Sequence, residues 1–524
     1  MASNARGVDI GTGSGGIIGD WFRLTMAAPV PPPAAGSSSA RAGTGASVMR
    51  QTLLYLPAQV LAPVIQFASI LVWTHLMSPT DLGIVTLVIA SQEVCFALFF
   101  GWWQRYTLRF LRSFDDGDRR VDFLRSETAA VLLSTLAQTL VITPVLLRQA
   151  GDARAPLLLL VLVTTFMVTR SISNYLADRA RANAQIGLYS LIQICGPVFG
   201  FLVGVPLLWR YGSSPNAVFA GFVLAQLVGL GAAIAMSDFL KRGPRIDRAI
   251  FRTAIIFGGS VMMATLLATL ALNLPRFIVS GTLGLAAMGA FAVGYSLGLR
   301  ASSFAVTLVT AGAYPLVVKR MEEEGIDAAF QQLRQNMVLV ALAVMPVAFG
   351  LLGVNQLVVD VLVDEKYRAI TYTVLPLATI GGLFRYLRAH TSDQVFLICL
   401  KPRYATWIAV IDILIAAPSV WVGLKVMGIT GAALGPMISG LCTLTASFVL
   451  SRVRFGFHAP LGDFARILIV SAAMCFAVLA LPVPSTALGL IAAVILGATV
   501  FGIGIVLLLP QARFFSRRFK RTKQ

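Results

Sequence analysis

The 524-residue chain is 57% hydrophobic and only 12% charged, with a mean hydropathy of +0.81. Ordinary soluble domains carry about 25% charged residues, so this composition excludes a water-soluble globular protein. The formal net charge of +19 would suit a nucleic-acid partner. However, membrane topology explains the positions of Lys and Arg better, and no nucleic-acid partner is predicted.

Residues 1–48, at the start of the chain, are rich in Gly, Ala, Ser and Pro and are predicted to be disordered. The GTGSGG run at 11–16 does not open a helix after a strand, and no Lys-Ser/Thr pair follows it. A phosphate-binding loop is therefore not predicted there. The later connections are too short for a soluble domain, which usually needs about 50 residues or more, so function must lie between helices.

Apolar segments long enough to cross a bilayer recur along the rest of the chain. A spanning helix needs about 20 mostly apolar residues, which predicts an all-α polytopic membrane protein with about fourteen transmembrane helices. The predicted spans are 50–77, 81–103, 127–147, 155–176, 187–209, 216–236, 253–280, 285–317, 336–355, 370–397, 404–426, 430–450, 467–481 and 486–509.

Most Lys and Arg residues lie at the termini or in the connections that follow even-numbered spans. By the positive-inside rule this side is cytoplasmic, which places both termini in the cytoplasm and requires an even number of spans. The connection 105–125 interleaves Arg with Asp and is predicted to be a solvated, self-neutralised loop. The basic tail 511–524 is predicted to rest on anionic lipid headgroups.

An internal repeat aligns the stretch 73–83 with the stretch 279–289. Each holds a span end, a very short outer turn and a Gly that enters the next span. The repeat predicts an N-lobe at 49–249 and a C-lobe at 250–456, each of six spans and inserted the same way up. Two appended helices occupy 457–510. A candidate site lies between the lobes.

Charged residues near the middle of predicted spans are the informative ones, because an Arg or Asp there costs about 2.5 to 3.5 kcal/mol on insertion scales. Such a charge needs a partner or a role. The cations are Arg170, Arg276, Arg300, Arg385 and Arg388, and the acids at similar depth are Glu93, Asp393 and Asp412.

The surplus of cations indicates an anion site, because guanidinium groups bind phosphate oxygens through two parallel hydrogen bonds. The predicted substrate-binding residues are Arg276, Arg300, Arg385, Arg388, Arg170 and His390. In the alternative interpretation each Arg pairs with Glu93, Asp412 or a helix-end carbonyl, and Arg170 reaches the membrane surface.

Glu93 and Asp412 are predicted ion-coupling residues, since a buried carboxylate can take up a proton near neutral pH; an ion pair with Arg is the open alternative. The five Cys residues are isolated, and no His, Cys and Asp cluster has metal-ligand spacing. No metal, cofactor or catalytic residue is therefore predicted.

Four stretches resemble the multidrug/oligosaccharidyl-lipid/polysaccharide (MOP) exporters, and specifically their polysaccharide-flippase branch. They are HLMSPTDLGIVTLVIA from His75, NLPRFIVSGTLGLAAMGAFAVGY from Asn273, VVDVLVDEKYRAITYTVLPLATI from Val358 and MGITGAALGPMISGL from Met427. The chain departs from the family pattern at Asp364 and Glu365, where an aromatic or aliphatic residue and a Gly are more usual.

The resemblance implies a non-enzymatic flippase in the bacterial inner membrane. A cavity between two lobes would take a polyprenyl-diphosphate oligosaccharide from the cytoplasm and release it outside, for lipopolysaccharide, capsule or exopolysaccharide synthesis. Membrane lipids, a polysaccharide polymerase and a chain-length regulator are the implied partners. The alternatives are a lipid II flippase, a drug or metabolite cation antiporter with an acid-lined cavity, and a membrane glycosyltransferase, which would need a sizeable outer loop.

Overall fold

The computed structural model describes residues 45–114, 117–149 and 156–508, and every regular element in them is a helix. The all-α polytopic prediction is therefore confirmed. In chain order the α-helices are α1 (Gly45–Leu76), α2 (Pro79–Phe99), α3 (Gly101–Phe110), α4 (Gly117–Gln149), α5 (Pro156–Ala182), α6 (Ile186–Ile194), α7 (Gly200–Tyr211), α8 (Pro215–Met236), α9 (Arg248–Thr253), α10 (Gly259–Glu324), α11 (Ile326–Gly353), α12 (Asn355–Leu362), α13 (Glu365–His390), α14 (Ser392–Ile398), α15 (Arg403–Phe455), α16 (Leu461–Leu479) and α17 (Ala487–Leu508).

Two helices turn back on themselves at a glycine. Gly284 in α10 has φ +85° and Gly428 in α15 has φ +62°, a region that glycine adopts without steric cost. The two arms of α10 pack together, because the Tyr295 hydroxyl donates to the Leu272 carbonyl at 2.9 Å. In α15, a Cβ added at Gly423 would lie 2.3 Å from backbone of the other arm. We call the arms α10a and α10b, and α15a and α15b.

Each of these hairpins accounts for two predicted spans. Ten helical segments of the described residues are long and apolar enough to cross a bilayer, and among them are Arg248–Thr307 and Arg403–Phe455. At about 1.5 Å per residue, either segment is far longer than the ~30 Å hydrocarbon core. Leu61–Leu76 in α1 is a shorter apolar segment, and α13 is not among the ten. Fourteen as the number of spans stays a prediction.

Local sequence sets several helix starts. The Ser78 hydroxyl accepts a hydrogen bond from the Asp81 amide, and Pro79 occupies the first turn of α2. Asp247 caps α9, and Asp364 caps α13, through side-chain oxygens that accept backbone amides. The α6–α7 junction is a π-helical turn, Cys195–Phe199.

The predicted outer side is closed by contacts between residues of the two predicted lobes. The hydroxyl of fully buried Tyr367 donates to the Met77 carbonyl at 3.0 Å. The Asp364 amide donates to Thr74 Oγ1 at 3.3 Å, and His75 Nδ1 lies 3.5 Å from the Asp364 carboxylate. These bonds tie the end of α1 to the start of α13 across the boundary between the two predicted lobes.

The structure corrects the prediction that 105–125 is a self-neutralised loop. Its first residues belong to α3, where Arg105 donates to Thr265 of α10a at 3.1 Å. Arg112 donates to a carbonyl at the end of α5 at 2.8 Å. Arg120 pairs with Asp238, in another connection, at 2.7 Å. These cations hold neighbouring segments together.

Two predictions concern residues beyond those described. The predicted disordered segment lies outside them except for 45–48, which form the start of α1. The basic tail 511–524 lies outside them entirely.

Candidate functional site

A cavity of about 250 Å³ lies where α1, α2, α5, α8 and both arms of α10 meet. Its wall contains residues from both predicted lobes and is strongly polar for a site among apolar helices. The polar residues that line it are Gln66, Ser69, Thr86, Gln92, Glu93, Arg170, Asn174, Gln226, Arg276, Ser296 and Arg300. Trp73, Phe166 and Phe222 are its aromatic residues.

Arg276 and Arg300 come from the two arms of the α10 hairpin. Arg276 donates to Asn273 and, at 3.0 Å, to Ser296 Oγ. Its guanidinium carbon also lies 5.3 Å from the centre of the Tyr295 ring, within the range of a cation–π contact. Arg300 donates to the Gln66 side chain of α1. Neutral partners hold both guanidinium groups, so their charges remain available to a ligand.

Arg170 reaches the same cavity from α5. In the described part of the chain it has no hydrogen-bond or ion-pair partner. It lines the cavity, so the alternative in which it reaches the membrane surface is corrected. Three of the predicted arginines therefore converge on one space.

Glu93 is the one carboxylate among the residues lining this cavity. The Asn273 amide donates to Glu93 Oε2 at 3.0 Å and accepts from Arg276 through its oxygen. This bridge connects α2 to α10a, across the boundary between the predicted lobes. The predicted role of Glu93 in ion coupling stays a prediction.

Arg385 and Arg388 lie elsewhere, in a buried ion cluster inside the predicted C-lobe. Arg385 binds Asp412 of α15a through two hydrogen bonds of 2.7 and 3.1 Å, and Asp412 is fully buried. Arg388 lies 3.4 Å from the same carboxylate and 3.2 Å from Asp393. Asp393 in turn accepts from Ser447 at 2.6 Å.

The expectation that Arg385 shares a cavity with Arg276 and Arg300 is therefore corrected. Arg385, Arg388 and His390 do not line the cavity. The face of α13 that carries the two arginines packs against α15a, and Asp412 together with Asp393 of α14 balances their two charges. For Arg385 and Arg388, the geometry therefore agrees with the alternative interpretation, in which each arginine pairs with an acidic residue. His390 lies beside the Tyr386 ring, with ring centres 6.5 Å apart.

A second buried ion cluster, in the predicted N-lobe, was not predicted from the sequence. Glu127 and Arg179 are 0% and 2% exposed, and Arg179 Nε donates to Glu127 at 2.6 Å. The other end of the Arg179 guanidinium donates to Asp238 at 2.5 Å, and Tyr175 also donates to Glu127. Glu127 and Arg179 lie near predicted span ends, where charges are common, so position along the chain gave no signal.

The amides of the cavity wall were also missed. Gln66, Gln92 and Gln226 fall near the middle of predicted spans, and that placement was a usable signal, whereas Asn174 lies near a span end. Gln92 and Gln226 are each 2% exposed. A buried carboxamide needs hydrogen-bond partners just as a buried charge does, so a search for mid-span amides would have found this wall.

The chain matches one family model, described as "Polysaccharide biosynthesis protein", over residues 72–371. That stretch is more than half of the chain and contains Glu93, Arg170, Arg276 and Arg300. A comparison with curated protein sequences finds no match.

Solved membrane transporters share the fold. The lipid II flippase MurJ in an inward closed conformation is similar with a TM-score of 0.69 and 14% identity, covering 89% of this chain and 99% of that one. A Vibrio cholerae MATE transporter has a TM-score of 0.53 and 14% identity, covering 80% and 99%. An outward-facing multidrug resistance MATE transporter of the MOP superfamily has a TM-score of 0.55 and 12% identity, covering 78% and 95%. The family match shows that this chain belongs to the polysaccharide biosynthesis protein family, and the solved transporters share its fold.

Proposed function

We propose that this protein is a flippase that moves polyprenyl-diphosphate-linked oligosaccharides across the bacterial cytoplasmic membrane by alternating access. The observation that carries the proposal is the convergence of Arg170, Arg276 and Arg300 on one cavity between the lobes, against a single lining carboxylate, Glu93. The exported unit would serve lipopolysaccharide, capsule or exopolysaccharide synthesis.

The chemistry of this cavity suits a diphosphate. An anion that leaves water for a low-dielectric space loses its hydration, and fixed guanidinium donors replace that hydration with charge-assisted hydrogen bonds. Arg276 and Arg300 already have their guanidinium groups held by Asn273, Ser296 and Gln66, so little side-chain entropy remains to be lost on binding.

The contact between the lobes on the predicted outer side supports the predicted direction of transport. With Tyr367 bonded to Met77 on that side, the cavity would receive substrate from the cytoplasm. Movement of the N-lobe (49–249) against the C-lobe (250–456) would then open the outer side, with 457–510 as appended spans and both termini cytoplasmic. Membrane lipids surround the protein, and a polymerase and a chain-length regulator are the expected partners.

Two alternatives share this fold. A lipid II flippase is favoured by the similarity to MurJ, and it uses the same diphosphate chemistry. A cation antiporter is favoured by the MATE similarities, but three arginines in the cavity repel cationic drugs. We propose a transporter and not an enzyme.

Purified protein in proteoliposomes tests the proposal. We expect flipping of a fluorescent polyprenyl-diphosphate oligosaccharide, measured by its accessibility to an external glycosidase, and no flipping of the matched lipid that lacks the diphosphate. Transport of organic cations without lipid flipping would favour the antiporter. Flipping of lipid II alone would favour the cell-wall precursor flippase.

A further inference from the structure

The N-lobe wall of the cavity contains a group of hydrogen-bond donors separate from the α10 arginines. Arg170 and Asn174 are one helical turn apart on α5 and therefore share a face of that helix. Gln226 of α8 joins them, and all three line both the cavity and a small recess that adjoins it.

A π-helical turn shapes the floor of this recess. The turn, Cys195–Phe199, contains Pro197, which cannot donate a backbone hydrogen bond. A Cβ added at Gly196 would lie 2.9 Å from Arg170 Nη1 and 3.8 Å from Gln226 Nε2. The guanidinium and the amide therefore lie side by side over Gly196, and the missing side chain makes the room for them.

These donors lack partners within the protein. Gln226 is 2% exposed, and its Oε1 accepts from Thr169 at 2.6 Å, but its buried Nε2 has none. Arg170 likewise has no partner among the described residues. A buried amide donor left unbonded is costly, and a guanidinium beside it suits a ligand with acceptor oxygens and negative charge.

Position separates this group from the proposed diphosphate site. A diphosphate diester carries two negative charges and suits the two arginines of the α10 hairpin. Arg170 lies on another helix and in the other predicted lobe, and Glu93 accepts its hydrogen bond from Asn273 and not from Arg170. A sugar carboxylate supplies the matching anion, because a carboxylate accepts two parallel hydrogen bonds from one guanidinium.

We infer that Arg170, Asn174 and Gln226, seated over Gly196, form a second anion subsite that binds the carboxylate of an acidic sugar in the lipid-linked unit. This inference rests on the proposed function and names the class of glycan that the flippase prefers. Gly196 acts as a positioning residue for the Arg170 guanidinium.

Binding of two ligands to the purified full chain tests the inference. The probes are a short-chain polyprenyl diphosphate linked to glucuronic acid and the same lipid linked to glucose, with dissociation constants measured by native mass spectrometry. We expect wild type to bind the glucuronate about tenfold more tightly, as a charge-assisted hydrogen-bond pair provides. Arg170→Ala should weaken the glucuronate ligand about tenfold more than the glucose ligand, and Gly196→Ala should remove the preference while keeping the affinity for the glucose ligand.

Two further variants separate the sites. Arg300→Ala should weaken both ligands by the same factor, since it contacts the shared diphosphate. Arg210→Ala removes an exposed cation that packs on Tyr211, away from the cavity, and should keep the wild-type preference. The melting temperature of each variant in detergent confirms that it is folded.

Three outcomes would overturn the inference. Equal wild-type affinities would show that no carboxylate subsite exists, with the proposed function intact. An Arg170→Ala variant that weakens both ligands equally would assign Arg170 to the diphosphate site. If wild type binds neither lipid diphosphate, the proposed function fails and this inference fails with it.

Discussion

Gly83 of α2 and Gly289 of α10b face each other across the boundary between the predicted lobes. A Cβ added at Gly83 would lie 2.0 Å from the Leu285 carbonyl oxygen, and one added at Gly289 would lie 1.9 Å from the Pro79 carbonyl oxygen. The two glycines are equivalent positions of the internal repeat at 73–83 and 279–289. Equivalent residues that contact each other lie on the axis of a two-fold repeat, which supports the two-lobe organisation.

Substitution of either glycine should weaken the closed outer contact. The Cβ of Gly83→Ala or Gly289→Ala would clash with backbone, which cannot move away as a flexible side chain can, so we expect a loss of about 1 to 3 kcal/mol in stability of this state. The melting temperature in detergent measures it. Gly281→Ala, where an added Cβ meets nothing within 4 Å, is the matched control. Equal melting temperatures for all three variants would contradict the close packing.

Tyr367→Phe should favour opening of the outer side. It removes the hydroxyl that donates to Met77 across the lobes at 3.0 Å, a bond worth about 0.5 to 1.5 kcal/mol. A cysteine placed at the cavity residue Ser69 should then react faster with a membrane-impermeant thiol reagent added from the outer side. The control is Tyr372→Phe, whose hydroxyl bonds Asp360 within the C-lobe. Equal labelling in both variants would show that the Tyr367 bond does not hold the lobes closed.

Asp412→Asn should destabilise the protein. Arg385 and Arg388 would lose their shared carboxylate inside the C-lobe, and breaking a buried ion pair costs about 3 to 5 kcal/mol. We expect low abundance in membranes, and partial recovery when Arg385→Met accompanies Asp412→Leu. An Asp412→Asn protein of normal abundance that has lost coupling to an ion gradient would instead support the ion-coupling role.

Asp238 should make stability depend on acid pH. Burial raises the pKa of Asp238, but hydrogen bonds and charge from Arg120 and Arg179 outweigh that effect and lower it to about 2, from 3.8. A carboxylate whose pKa is lowered by folding stabilises the fold at any pH above its pKa in the unfolded chain. This stabilisation is lost as pH falls from about 4 towards 2. Because Asp238 is 33% exposed, we expect its charge to contribute on the order of 1 kcal/mol to the free energy of unfolding after solvent screening.

The measurement compares thermal unfolding of wild type and Asp238→Asn in detergent across pH 7 to 3. The variant should melt lower at pH 7, and the gap should narrow below about pH 4 as the wild-type carboxylate is protonated. If the difference in melting temperature did not change with pH, Asp238 would contribute to stability through its shape and not through its charge.

Sequence reasoning located the cavity arginines by their depth, because depth along a helix can be counted from the span ends. Rotation about the helix axis cannot be counted in this way. Arg300 and Arg385 have similar predicted depths, yet the first faces the space between the lobes and the second faces Asp412. Which face of a helix turns to a neighbour depends on packing over the whole bundle. Sequence alone therefore did not separate the arginines that line the cavity from those that form the buried ion cluster.

Other features could or could not be predicted from the sequence, for equally specific reasons. The hairpin at Gly284 was predictable, since a very short polar turn separates two apolar runs. The recess at Gly196 was not, because a Gly-Pro pair inside a span does not by itself specify a π-helical turn. Gln226 was overlooked as a neutral residue, although its buried amide carries as much information as a charge.

Arg300 distinguishes substrate binding from a structural role. Its protein partner is the neutral Gln66, so Arg300→Ala leaves no buried countercharge behind, and we expect normal or higher abundance. Loss of a charge-assisted phosphate contact should slow flipping in proteoliposomes by roughly tenfold to a hundredfold.

Arg300→Lys should rescue only part of this loss, because an ammonium group keeps the charge but lacks the planar fork that binds two phosphate oxygens. Gln66→Ala, which frees the guanidinium without removing it, should have a smaller effect than Arg300→Ala. Reduced abundance of Arg300→Ala, with normal flipping by the protein that remains, would assign Arg300 to the scaffold and remove it from the proposed diphosphate site.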